Sequence, residues 1–199
     1  MKGHMKRKNF AVFAAFLFLA ISMLGAVPPE KVFDLDFVDA YAELFPDKRT
    51  AEVFANLYFT SNGSDTVVFR CEGNFKRLRV TENKVQAAFD FRPPFLNFYR
   101  LASGPHLLHF EYLVEHFGLA TSGAIISDQK LDLGANSFWY PKNIASDPHD
   151  ALLDLVTPPN YSVTSNGKLT RNVPNNFKRL RSYLLEKQLP EGLTLSGGS

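Results

Sequence analysis

The sequence predicts an all-β chain, an antiparallel sandwich or a set of curved sheets, preceded by one apolar segment. Three observations carry that prediction. Apolar and polar residues alternate with period two in short runs along most of the chain. Clusters of Gly, Pro, Asn, Asp and Ser break those runs roughly every ten residues, the rhythm of a sandwich. Aromatics make up 14% of the residues, with 19 Phe, enough for a real core in a domain of this size.

The first element stands apart from that core. Lys2, His4, Lys6, Arg7 and Lys8 form a basic lead. The apolar run of residues 10–27 follows, interrupted only by Ser22 and Gly25, and Pro28-Pro29 closes it. A basic lead, an apolar run and the small-residue exit Gly25-Ala26 mark residues 1–26 as a secretory signal or a membrane anchor helix. The run is just long enough to span a bilayer. No shift in composition divides residues 27–199, which are read as a single β domain. The expected location is therefore extracytoplasmic, secreted or periplasmic, with the membrane touched only through the leading segment.

The strands are justified in turn. Residues 31–38 place Phe33, Leu35 and Phe37 on one face. Residues 53–59 form the next strand, Ser61-Asn62-Gly63-Ser64-Asp65 is a turn, and residues 66–71 are expected to fold back as the hairpin partner. Residues 78–81, 85–91 and 95–100 follow, punctuated by Glu82-Asn83 and Pro93-Pro94. In residues 106–116, Leu108, Phe110, Tyr112 and Val114 alternate with His109, Glu111, Leu113 and Glu115, which reads as a strand with one wet face. A helix is the competing reading, because Leu107, Leu108, Glu111 and Glu115 also repeat at helical spacing. Residues 151–157, 161–164 and 181–187 complete the set, with Pro158-Pro159 and an Asn166-Gly167 turn between them. The hexapeptide Asn-Phe-Lys-Arg-Leu-Arg occurs twice, at residues 74–79 and 176–181. A strand edge guarded by charge explains it more simply than a basic docking strip.

Composition and motifs exclude several chemistries. Twenty-two basic against twenty acidic residues leave a net charge of +2, too little to argue for nucleic acid. Cys71 is the single cysteine, so no intrachain disulfide forms, and its run Val67-Val68-Phe69-Arg70-Cys71 reads as a buried strand. The HExxH pattern of a zinc hydrolase is missing. His106 and His109, three apart, fall on opposite faces of a strand, and His116 follows. His149, beside Asp147-Pro148, reads as a turn residue. There is no GxSxG elbow and no glycine-rich phosphate loop. No catalytic residue, metal ligand or cofactor site is expected in this chain.

One stretch is richer than the rest. Tyr140-Pro141, Asp147-Pro148, the alternating run at residues 153–156, Pro158-Pro159 and Ser165-Asn166-Gly167 follow in order. This order resembles the N-terminal β domain of the M1 family of zinc aminopeptidases, and a weaker likeness covers most of residues 27–199. The resemblance implies a saddle of β-sheets on the substrate side of a peptidase, itself non-catalytic, with zinc belonging to a separate catalytic domain. It implies a truncated or split member, whose partner is a peptidase domain or a separate catalytic chain. Peptides are substrates only in that context. It also implies an acidic or amide side chain that holds the substrate's free amine, about nine residues before the Pro. That position is Asp132, and a carboxylate pairs well with an ammonium in a cleft. The Ala-Arg pair usual between them is replaced by Asn136-Ser137. Trp139 and Tyr140 either line a substrate groove or plug the core. The alternative to the peptidase reading is a stand-alone extracytoplasmic β-sandwich module for binding or adhesion.

Overall fold

The computed structural model describes residues 33–115, 124–134, 137, 139–144, 147–186 and 192–199. The leading segment of residues 1–26, the signal or anchor helix of the sequence reading, lies outside them. All described strands fall in one unit, Val32–Ser199, and form three sheets.

The largest sheet contains β1 (Phe33–Phe45), β2 (Thr50–Asn62), β4 (Asn74–Glu82), β5 (Val85–Gln86), β8 (Ser103–Glu115), β12 (Asp150–Thr157), β14 (Lys168–Pro174) and β15 (Arg179–Leu185). Their order is β14-β15-β12-β1-β2-β8-β4-β5. A second sheet orders β11 (Lys142–Asn143), β3 (Thr66–Arg70), β7 (Phe95–Tyr99) and β6 (Phe89–Arg92). A third orders β13 (Ser162–Ser165), β16 (Leu195–Gly198), β10 (Leu131–Leu133) and β9 (Ile125–Ile126).

The period-two pattern is what makes these strands and what faces them inward. On β2, Ala51, Val53, Ala55, Leu57 and Phe59 are buried, while Glu52, Phe54, Asn56 and Tyr58 turn out. On β8, Leu108, Phe110, Tyr112 and Val114 are buried, so the strand reading of this segment holds and the helical one does not. The two smaller sheets supply the other wall. Phe69 of β3 is fully buried and touches Phe33, Phe59, Phe98 and Phe110, with ring centroids 4.6 to 6.3 Å apart. Such aromatic clusters gain edge-to-face energy beyond their burial.

The large sheet is mixed rather than purely antiparallel, because β1 and β12 run parallel. More than a hundred residues separate them, so no tight turn dictates their direction. The hairpin expected of β2 with residues 66–71 is overturned. Both edges of β2 are occupied, by β1 and β8, so the turn at residues 61–65 sends β3 across the core to pair with β7 and β11. Phe37 is also corrected. A bulge between Leu35 and Phe37 flips the alternation. Phe33, Leu35 and Val38 therefore point inward, and Phe37 sits on the outer face beside Tyr58, with centroids 5.8 Å apart.

The repeated hexapeptide adopts two different structures. Residues 74–79 lie on β4, where Lys76 and Arg79 are exposed and pair with Glu115 and Glu111 of the adjacent β8, and the exposed Arg77 reaches Glu52 of β2 beyond it. Residues 176–181 instead form the turn between β14 and β15 and the start of β15. There Phe177 is 85% exposed, and Arg181 is buried. The charge-guarded edge describes the first copy only.

Replacing Phe69 with Ala is expected to lower unfolding free energy by roughly 3–5 kcal/mol, the cost of an aromatic cavity. Phe177→Ala is expected to stay within about 0.5 kcal/mol, as exposed positions do. Urea unfolding of both variants measures the contrast.

Candidate functional site

Alternation on the third sheet decides what its outer face presents. Leu131 and Leu133 of β10 point into the core, so Asp132 between them must point out. Register then builds a row across four strands: Thr164 on β13, Ser196 on β16, Asp132 on β10 and Ile125 on β9. The Thr164 and Ser196 hydroxyls lie 2.9 Å apart. The Lys130 ammonium stands 3.2 Å from the Asp132 carboxylate, and both heads are largely exposed. An exposed pair of this kind holds weakly, by about 0.2–1 kcal/mol, so another cation can displace the lysine. The row contains no histidine or cysteine. It can bind a cation by charge and hydrogen bonds.

A buried polar chain fixes the position of that sheet. Tyr112 of β8 donates its hydroxyl proton to the Trp139 carbonyl at 3.0 Å. The Trp139 indole N–H donates to the Leu193 carbonyl at 3.2 Å. The Leu193 N–H donates to the Tyr140 hydroxyl oxygen at 3.0 Å, and that hydroxyl lies 3.2 Å from His149 Nε2. His149 Nδ1 sits 2.7 Å from the Asp147 carbonyl. A carbonyl only accepts, so Nδ1 carries the proton, Nε2 is the acceptor and Tyr140 donates to it. The Asp147 carboxylate in turn accepts the Leu35 N–H at 2.9 Å and the Asn143 amide at 3.0 Å. Leu193 leads directly into β16, the strand that pairs with Asp132's β10.

Burial sets the protonation of this chain. It drives His149 below its ordinary value and so keeps the ring neutral. It drives the Tyr112 and Tyr140 phenols upward, so both keep their protons. The Cys71 thiol is likewise pushed up by burial, the reverse of a reactive cysteine.

Two more contacts complete the frame. The Asn166 side-chain amide donates to the Gly192 carbonyl at 2.8 Å and accepts the Thr194 N–H at 2.9 Å. The Asn166-Gly167 turn thus clamps the approach to β16 and does not close a hairpin: β13 pairs with β16, and β14 with β15. Gly192 has φ +67, and a Cβ there would overlap the Tyr140 hydroxyl.

The remaining candidates from the sequence fall elsewhere. Trp139 and Tyr140 are 2% and 0% exposed, in edge-to-face contact at 4.8 Å; they stand in the core as parts of the polar chain. His106 pairs with Glu82 at 2.6 Å, while His109 turns to the other face and pairs with Asn56 at 2.8 Å. His116 lies outside the described residues. Among the described residues no cluster of three His, Cys, Asp or Glu side chains is placed to hold a metal. Asn166 and Gly192 were not singled out by sequence reasoning as functional, and His149 was read as a turn residue. Nothing local to Gly192 signals that Tyr140 lies against it, because the two are far apart in the chain.

With this geometry in place, comparison with solved structures is informative. An M1 zinc metallopeptidase from Deinococcus radiodurans superposes with a TM-score of 0.67 at 15% identity, over 85% of this chain and 42% of that one. A mutant of that enzyme bound to a Tyr-Ser-Ala substrate superposes with a TM-score of 0.68 at 15% identity, over 85% and 43%. The fold is one that M1 zinc metallopeptidases carry. The chain spans less than half the length of those structures. No protein-family profile matches the chain, and no curated protein matches it.

Gly192→Ala is expected to cost roughly 2–4 kcal/mol, from left-handed strain plus the clash at Tyr140; urea unfolding measures it. His149 gives a pH signature. The unfolded ring titrates near 6.5, whereas the folded ring resists protonation. Its contribution to stability is therefore complete above that pH and is lost as pH falls below it, by up to about 1.4 kcal/mol per pH unit. His149→Gln is expected to flatten the fall of unfolding free energy between about pH 6.5 and 5, and an unchanged slope would contradict this.

Proposed function

We propose that this chain is an exported, non-catalytic β domain that forms the substrate side of an M1-type zinc metallopeptidase. The zinc and its general base come from a peptidase domain or a separate catalytic chain. The observation that carries the reading is the superposition of 85% of this chain on M1 enzymes, one of them bound to a Tyr-Ser-Ala substrate. The outward carboxylate of Asp132 supports it, since it stands on a rigid strand where a peptide's amine can reach it.

In this reading Asp132 holds the free ammonium of a peptide substrate. The Ser196 and Thr164 hydroxyls extend the polar row beside it. The zinc would supply an activated water and polarise the scissile carbonyl. This chain's own part is to fix the amine and so set which peptide bond is presented. Export rests on the basic lead and apolar run of residues 1–26.

Two experiments test the proposal. The purified chain with stoichiometric zinc is expected to show no chelator-sensitive release of product from amino-acid anilides, and robust turnover would overturn the non-catalytic role. In a carboxyl-selective NMR titration, leucinamide is expected to shift the Asp132 signal at millimolar concentration. N-acetyl-leucinamide, which lacks the ammonium, is expected to leave it in place. Equal shifts with both ligands would remove Asp132 as an amine anchor.

A further inference from the structure

Two arginines lie side by side on the core-facing side of β15. Arg179 and Arg181 are two residues apart on one strand, so they share a face, opposite Thr157 and Leu155 of β12. Arg181 is only 4% exposed. Its guanidinium donates to the Thr157 hydroxyl at 3.0 Å and to the Tyr161 carbonyl at 2.8 Å. Both acceptors are neutral. Arg179 is half-buried, and its Nε is enclosed without any hydrogen-bond partner. Among the described residues no ion pair forms at either guanidinium. Glu43 is already paired with Lys178 on the opposite face of the sheet.

This is an unbalanced arrangement. A buried charge without a counter-charge is costly, and two like charges at neighbouring positions raise that cost. Burial pushes Arg181 below its ordinary value; Tyr183 opposes that in part, and the neighbouring Arg179 adds a smaller downward push. The Thr157 hydroxyl also donates to the Pro158 carbonyl, so it is oriented to accept from Arg181 and has no proton left for an acid. Arg181 is thereby fixed in place, and Arg179 lies beside it on the same face, half-buried and without a hydrogen-bond partner at its Nε. A planar guanidinium with its fork unfilled is the geometry that takes an oxyanion by paired hydrogen bonds.

We propose that Arg179 and Arg181 form a binding site for a compact oxyanion, distinct from the Asp132 row, at the end of the core where β15 and β12 meet the Pro158–Tyr161 turn. Arg179 makes the direct contact. Arg181, held by Thr157 and Tyr161, adds positive potential from behind. The ligand is a carboxylate presented by an acidic side chain of a neighbouring protein segment, or a free inorganic anion such as phosphate. The site does not depend on the peptidase reading.

The test follows the side-chain Nε–H signals of both arginines by ¹⁵N NMR in the whole chain. Sodium acetate and inorganic phosphate are titrated separately, with sodium chloride at matched ionic strength as the control. At least one oxyanion is expected to shift the Arg179 signal saturably below about 100 mM and to raise the thermal midpoint, while chloride does neither. Tighter binding of acetate assigns the site to a protein carboxylate, and tighter binding of phosphate assigns it to the free anion. In Arg179→Gln, the Arg181 signal and the thermal midpoint are expected to lose their saturable response, with at least tenfold weaker binding. Arg179→Lys, which keeps the charge but not the fork, is expected to fall between. No saturation with either probe, or an unchanged response in Arg179→Gln, overturns the site.

Discussion

The Tyr140 hydroxyl receives the Leu193 N–H and gives its own proton to His149, and both Tyr140 and His149 are buried. Around that bond run the contacts of Tyr112, Trp139, His149 and Asp147, which join β8, the lead-in to β16 and the first strand. A buried polar chain of this kind stabilises only when every member is satisfied. Here the donors and acceptors meet in one consistent direction, with a neutral His149. The consequence is positional. The lead-in to β16 is pinned, β16 pairs with β10, and β10 carries Asp132 outward. A surface carboxylate thus gains a rigid mounting from a chain of bonds that it does not itself touch.

Much of the fold is legible in the residues, because alternation with period two is a direct record of which side chains face the core. Leu108 to Val114 is the clearest case: four inward residues on one strand, each opposite a buried partner on β2. Pairing is harder to read. Which strand lies beside β2 depends on what fills its two edges, and the turn at residues 61–65 is the same sequence whether it closes a hairpin or leads to another sheet. The bulge beside Phe37 has no local signature either, yet it reverses the facing of everything after it. The two hexapeptide copies make the point most sharply. The same six residues form a solvated strand in one place and a turn with a buried arginine in the other, because their surroundings differ.

The candidate site shows the same division. That Asp132 points outward follows from the leucines on each side of it. That Trp139 and Tyr140 lie inside and tie the sheets together follows from residues distant in the chain, Tyr112 and Leu193, which no local pattern connects. The polar groups of this molecule therefore fall into three kinds. The Tyr140 chain is buried and paired from Tyr112 through His149, and it sets geometry. Asp132 is exposed and weakly paired, so it is available to a ligand. The arginines of β15 are buried or half-buried without an ion pair among the described residues, and that is the charge the proposed oxyanion would balance.

The central claim, that the Tyr140 hydroxyl mounts the Asp132-bearing sheet, is tested most directly by amide hydrogen exchange in Tyr140→Phe. Loss of the hydroxyl leaves His149 Nε2 and the Leu193 N–H unpaired, a local cost of about 1–3 kcal/mol. Amides of β10 and β16 should then exchange roughly ten- to a hundredfold faster, while those at the centre of β2 and β8 keep their protection. Unchanged exchange in β10 and β16, or an equal rise in all four strands, would contradict the account.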